Sequence, residues 1–125
     1  MNKQPDIQIG VRTRYLLEQS DPEEDRYVFA YTVEICNRSD EAVKLLNRYW
    51  HITDDNEKVE EIRGAGVIGQ QPEILPGQSF HYTSGAVIET QFGGMHGDYE
   101  MLSASGEKFT ARIPPFLLAP PLAVH

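Results

Sequence analysis

Thiol chemistry is almost missing from this chain: Cys36 is its single cysteine. No internal disulfide can form, which suits a reducing compartment. Cys36 sits in the apolar segment FAYTVEICN and reads there as a small buried hydrophobe rather than a nucleophile. Long apolar runs are missing as well. No stretch approaches the roughly 18 apolar residues of a membrane span, and the opening MNKQPDIQIG has no apolar core of signal-peptide length. A cytoplasmic protein without a membrane span is expected. Basic clusters are also scarce. Eleven Lys and Arg face nineteen Asp and Glu, a net charge of −8. Such a chain repels phosphate backbones, so direct nucleic-acid binding is not expected.

Signatures of catalysis are equally thin. No serine lies in a G-x-S-x-G elbow, and Cys36 has no activating neighbours in sequence. Glu60 and Glu61 are adjacent, so on a strand they point to opposite faces and form no acid–base pair. The chain reads as a non-enzymatic protein without a cofactor. HExxH is absent, and none of His51, His81, His96 and His125 forms an H-x-x-x-H pair. The segment DDNEKVEEIRGAGV fails as an EF-hand loop, because the sixth position from Asp54 is Val59 where that turn needs glycine. The acidic run Asp21, Glu23, Glu24, Asp25 reads as a solvated hairpin tip. A metal site stays open on one ground only: histidines from separate strands can converge in a folded sheet.

What the chain has in abundance is alternation with period two. Ile7, Ile9, Val11 and Thr13 share one face of a first strand. Tyr27, Phe29, Tyr31, Val33 and Ile35 share one face of a second. Similar patterns recur in VKLLNRYWHIT, KVEEI, SFHYTSG, GDYEMLS and KFTARI. Turn-forming clusters separate them: SDPEED, NRSDE, DDNEK, LPGQ, FGG and SASGE. Helical stripes are weak throughout. With 40% hydrophobic and 24% charged residues, the composition is globular, and the length suits one domain over residues 1–125. These features predict an all-β fold, an antiparallel immunoglobulin- or fibronectin type III-like β-sandwich of about seven strands.

The stretch RGAGVIGQQP contains Gly64, Gly66 and Gly69 in a G-x-G-x-x-G pattern. In dinucleotide-binding proteins that pattern follows a strand and opens a helix whose N-terminus holds the pyrophosphate. KVEEI supplies a strand, and Glu89 falls about 20 residues on, where a ribose-binding acid is expected. Pro72 and Pro76-Gly77 leave no room for the helix. Two other readings of the loop remain. It can be a structural crossing between sheets, with Val67 and Ile68 tucked beneath it, or an anion nest built from loop amides alone.

Two further stretches are candidate contact sites. In RYW, Trp50 reads as a core residue, which turns Tyr49 outward with Asn47 and His51 as a candidate partner contact. The ending IPPFLLAPPLAVH combines Pro114, Pro115, Pro120 and Pro121 with Phe116, Leu117, Leu118, Leu122 and Val124. Prolines confine it to an edge strand or an extended tail. Its apolar side chains are expected to pack on the domain or against a partner or a second copy. Phe116 and Leu118 are the candidate contacts there.

The segments NRYWHITD, EEIRGAGVIGQQPEILPGQSFHYTSGAVIET, GGMHGDYEM and IPPFLLAPPLAVH, in this order, resemble the bacterial ApaG family over nearly the whole chain. The resemblance implies a fibronectin type III-like β-sandwich carrying the same glycine-rich loop. It also implies an association with cobalt resistance and magnesium efflux, and a role as an interaction module with a protein partner. It brings no catalytic residues. The function expected is therefore a protein-contact module in divalent-cation homeostasis. The alternative is a small-ligand binder holding an anion or nucleotide phosphate at Gly64–Gly69.

Overall fold

A computed structural model describes residues 4–121. Eight strands run in the order β1 (Ile7–Tyr15), β2 (Tyr27–Asn37), β3 (Val43–Asp54), β4 (Val59–Ala65), β5 (Glu73–Ile74), β6 (Ser79–Ile88), β7 (Gly93–Ser103) and β8 (Lys108–Leu118). The only helical pieces among the described residues are two single 3₁₀ turns, Leu17–Gln19 and Pro22–Glu24. The expected all-β sandwich is present, with one strand more than the alternation suggested. The extra one, β5, is only two residues long and carries no readable period.

Two antiparallel sheets form the sandwich. The smaller has the order β1-β2-β6. The larger has the order β4-β3-β7-β8, with β5 pairing the start of β3. Alternation explains which side chains meet between them. Phe29, Tyr31, Val33 and Ile35 of β2 face Leu45, Trp50 and Ile52 of β3 and Met95, Tyr99 and Met101 of β7 in one buried cluster. Trp50 sits at its centre, with edge-on ring contacts to Tyr31, Tyr99 and Phe116. Its indole N–H finds no acceptor among the described residues, so packing rather than polar contact secures the ring.

Two bulges correct the simple period. Between Leu45 and Asn47 the register of β3 against β7 slips by one residue. Val43 and Leu45 before the slip, and Trp50 and Ile52 after it, therefore all face the core despite opposite parity. The second slip sets Pro114 and Pro115 of β8 opposite His96 of β7. Pro114 and Pro115 thus lie in a bulge on an edge strand, where their missing N–H groups break no ladder. The slip turns Ala111, Ile113 and Leu118 inward, and Leu117 outward at 75% exposure. Leu122, Val124 and His125, singled out in the sequence, lie outside the described residues.

Candidate functional site

The glycine loop resolves into three separate local requirements. β4 leads into it as an edge strand, so the preceding strand exists. Beyond the glycines come a tight turn, Pro72 and β5 rather than a helix, and no helix N-terminus is offered to a phosphate. Gly64 is still in β4, opposite Arg48 of β3. A Cβ there would lie 2.9 Å from the Arg48 guanidinium, so this glycine is the seat of an arginine. Gly66 has φ +63°, and a Cβ would run into the Gln70 carbonyl. Gly69, at φ +77°, has open space around it and is required by its backbone angle alone.

Three of the loop's amides are engaged. Gly66 donates to the Leu46 carbonyl at 2.8 Å, Val67 to Gln70 at 2.8 Å, and Gln70 back to Val67 at 2.9 Å. Arg48 clamps the loop, donating from Nη1 to the carbonyls of Ala65 at 3.1 Å and Gly66 at 2.9 Å. Val67 is fully buried beneath, as expected. Ile68 is not: it is 54% exposed, at φ +42°. The Val67–Gln70 bridge places Ile68 and Gly69 at the tip of a turn, and the tip faces away from the core. Glu89 does not approach the loop. It pairs with Lys58 at 2.8 Å, beyond the opposite end of β4.

Beside this loop lies an open depression of about 450 Å³ on the outer face of the larger sheet. Asn47, Arg48 and Tyr49 of β3, Arg63, Gly64 and Ala65 of β4, and Asp98 and Glu100 of β7 line it. Cross-strand register builds it in two rows: Arg63–Tyr49–Asp98 and Ala65–Asn47–Glu100. Tyr49, the aromatic residue expected to face outward, stands at its middle. The Arg63 guanidinium covers its ring at 4.4 Å, and its hydroxyl donates to Glu61 Oε2 at 2.7 Å. That hydrogen bond to a carboxylate holds the Tyr49 phenol above its usual value. Asn47 Nδ2 donates to Glu100 Oε1 at 2.7 Å. Asp98 and Glu100 escaped notice in the sequence. Their alternation with buried Gly97, Tyr99 and Met101 already aimed them outward, but nothing in sequence said that β7 would lie beside β3.

Below the floor, on the core side, Tyr82 and Tyr99 hydrogen-bond through their hydroxyls. Burial pushes the phenols of Tyr31, Tyr82 and Tyr99 upward.

The remaining candidates separate. His51 and His96 are cross-strand partners with stacked rings, 4.5 Å between centroids. His81 stands alone on the smaller sheet, with Nε2 2.6 Å from Glu34 Oε2. The histidines thus converge as a pair, and no group of three or more His, Cys, Asp or Glu among the described residues is placed to hold a metal ion. Cys36 is half-buried. Leu118, a candidate partner contact, is fully buried inside the sandwich. That assignment is corrected: the Pro114–Pro115 bulge rotates Leu118 into the core. Phe116 is partly buried and spends its ring on Trp50 and Tyr31. Leu117 is the large apolar side chain that faces solvent among the described residues of this stretch. No helix among the described residues is long and apolar enough to cross a membrane.

Comparison with known proteins gives a consistent result. A family model for the ApaG domain matches residues 17–103. Protein ApaG of Pseudomonas putida is 55% identical over 119 residues, covering 95% of this chain and 94% of that protein. Protein ApaG of Thiobacillus denitrificans is 50% identical over 123 residues, covering 98% and 97%. The crystal structure of the ApaA protein from Bordetella pertussis superposes with a TM-score of 0.93 at 45% identity, covering 97% of this chain and 98% of that one.

Proposed function

This chain belongs to the ApaG family, and from that membership we propose that it is a non-enzymatic recognition module that holds a protein partner on the outer face of its larger sheet. One observation carries the reading: Tyr49 is an aromatic anchor already fixed in place before any partner arrives. Arg63 stacks on it and Glu61 takes its hydroxyl, on a strand paired on both sides. Side chains ordered in advance lose less freedom on binding, and tyrosine in a polar rim is a favoured contact residue. The glycine loop that adjoins this face also exposes Ile68 at its tip. The link to divalent-cation homeostasis, with cobalt resistance and magnesium efflux, comes from the family resemblance; cytoplasmic action is read from the single cysteine and the lack of a long apolar run.

The rival reading places an anion or nucleotide phosphate at Gly64–Gly69. Three loop amides already donate internally, and each glycine answers a local steric or backbone demand. Both facts favour the loop as scaffold over the loop as cradle.

The test is affinity capture from cells with the full chain carrying a tag, comparing the native sequence with Tyr49→Ala. The expected result is a set of proteins captured by the native chain and lost with Tyr49→Ala, at an unchanged urea midpoint. Retention of the same proteins by Tyr49→Ala would move the contact elsewhere. A growth defect of a deletion strain in cobalt that Tyr49→Ala fails to rescue would tie the contact to cation handling.

A further inference from the structure

Two carboxylates that line the depression around Tyr49, Asp98 and Glu100, have no cation paired with them among the described residues. The two arginines that line it bond elsewhere: Arg48 donates to the carbonyls of Ala65 and Gly66, neutral partners that leave its charge unbalanced, and Arg63 lies on the Tyr49 ring and, at 3.4 Å, against Glu61. Glu100 accepts one amide hydrogen bond from Asn47, a neutral donor that leaves its charge unbalanced. Asp98 has no hydrogen bond or ion pair among the described residues. It faces Tyr49 across β3 and Arg112 across β8, and no ion pair forms between Asp98 and Arg112. The Asp98 carboxylate is close enough to add its field to that of Glu61 on the Tyr49 phenol. Two carboxylates without an ion pair thus flank an aromatic ring, and the two arginines lining the depression donate to other groups.

We infer that the partner of this face is a basic segment of a protein, one that places an arginine or lysine side chain against Tyr49 with its cation on Asp98 and Glu100. The inference rests on the proposed contact role of Tyr49 and adds the chemistry of the partner to it. A guanidinium suits the place in two ways. Its plane lies against an aromatic ring, as Arg63 already shows on Tyr49. Its edge donates to a carboxylate in a fork. The net charge of −8 supplies a long-range attraction that brings such a segment in and repels acidic ones.

The experiment uses the immobilised full chain and a displayed library of random heptapeptides of even composition. Enriched sequences are then synthesised and titrated against the native chain, Tyr49→Ala, Asp98→Asn and Glu100→Gln. Amide NMR shifts of the native chain locate the bound peptide. Expected are peptides enriched in Arg and Lys that shift the amides of Tyr49, Asp98 and Glu100. Their binding should weaken about fivefold in Asp98→Asn and about tenfold in Tyr49→Ala, and fall further at high salt. Glu100→Gln provides the same test if Asp98→Asn alters the urea midpoint. Peptides that bind at Tyr49 without a basic residue, or with equal affinity to Asp98→Asn and Glu100→Gln, would overturn the basic partner while leaving the contact face standing. Peptides that leave the Tyr49 amide unmoved would overturn both.

Discussion

The glycine loop and the strand face beside it stand next to each other and teach opposite lessons. The loop carries the most eye-catching pattern in the chain, yet each of its three glycines answers a local demand: room for Arg48, relief from the Gln70 carbonyl, and a left-handed turn. The strand face carries no motif, only the ordinary alternation of its strands. Asn47, Tyr49, Asp98 and Glu100 come from two strands distant in the chain, and only register makes them neighbours. A motif in sequence can thus record how a chain turns, while a binding surface is assembled from residues that share nothing but a sheet.

That contrast can be broken most sharply at Gly66. Replacement by Ala adds a left-handed backbone penalty to a collision with a carbonyl the turn cannot move. Gly66→Ala is expected to cost about 3 kcal/mol or more, seen as a large drop in the urea midpoint or a failure to fold. A midpoint within error of the native chain would return the loop to the ligand reading. Arg48→Ala comes next. It strips the Ala65 and Gly66 carbonyls of a charged donor, and a loss of about 2 kcal/mol is expected from denaturant melts, with faster amide exchange confined to residues 64–70.

Alkali probes the ground beneath both regions. Burial raises the phenols of Tyr31, Tyr82 and Tyr99 in the folded state, while in the unfolded chain they titrate near about 10. Above that pH the unfolded state binds fewer protons than the folded one, so stability falls as pH rises. Below it the contribution is fully present and flat. Melting temperatures measured from about pH 8 to about pH 11.5, a range that brackets the free phenol, should therefore hold steady and then decline. The double variant Tyr82→Phe, Tyr99→Phe should flatten that decline, and a decline unchanged in it would place the titrating groups elsewhere. The smallest effect is expected at Gly69, where space is open and only φ is at stake. Gly69→Ala should cost about 1 kcal/mol. A larger loss than Gly66→Ala would reverse the ranking drawn from the two steric environments.

Much of this protein is legible in the chain alone. Period-two alternation in β1, β2, β6 and β7 reports one buried face each, because successive side chains on a strand must point to opposite sides. Prolines at 114 and 115 restrict β8 to an edge, because a residue without an N–H cannot serve two neighbours. Pro72, Pro76 and Gly77 remove the helix that a dinucleotide site needs. The outward turn of Tyr49 follows from the inward turn of Trp50.

Tertiary structure alone decided the rest, and the reason lies in pairing. The bulges at Leu46 and at Pro114–Pro115 invert the parity of everything after them, so Leu118 is core and Leu117 is surface. No local preference distinguishes the two leucines. Ile68 faces solvent because the Val67–Gln70 bridge closes beneath it. Asp98 and Glu100 flank Tyr49 because β7 pairs with β3, and His51 meets His96 for the same reason. Local sequence fixes which way a side chain points relative to its own strand. Which strands lie side by side is set by burial of the whole sandwich, and with it the chemistry of each outer face.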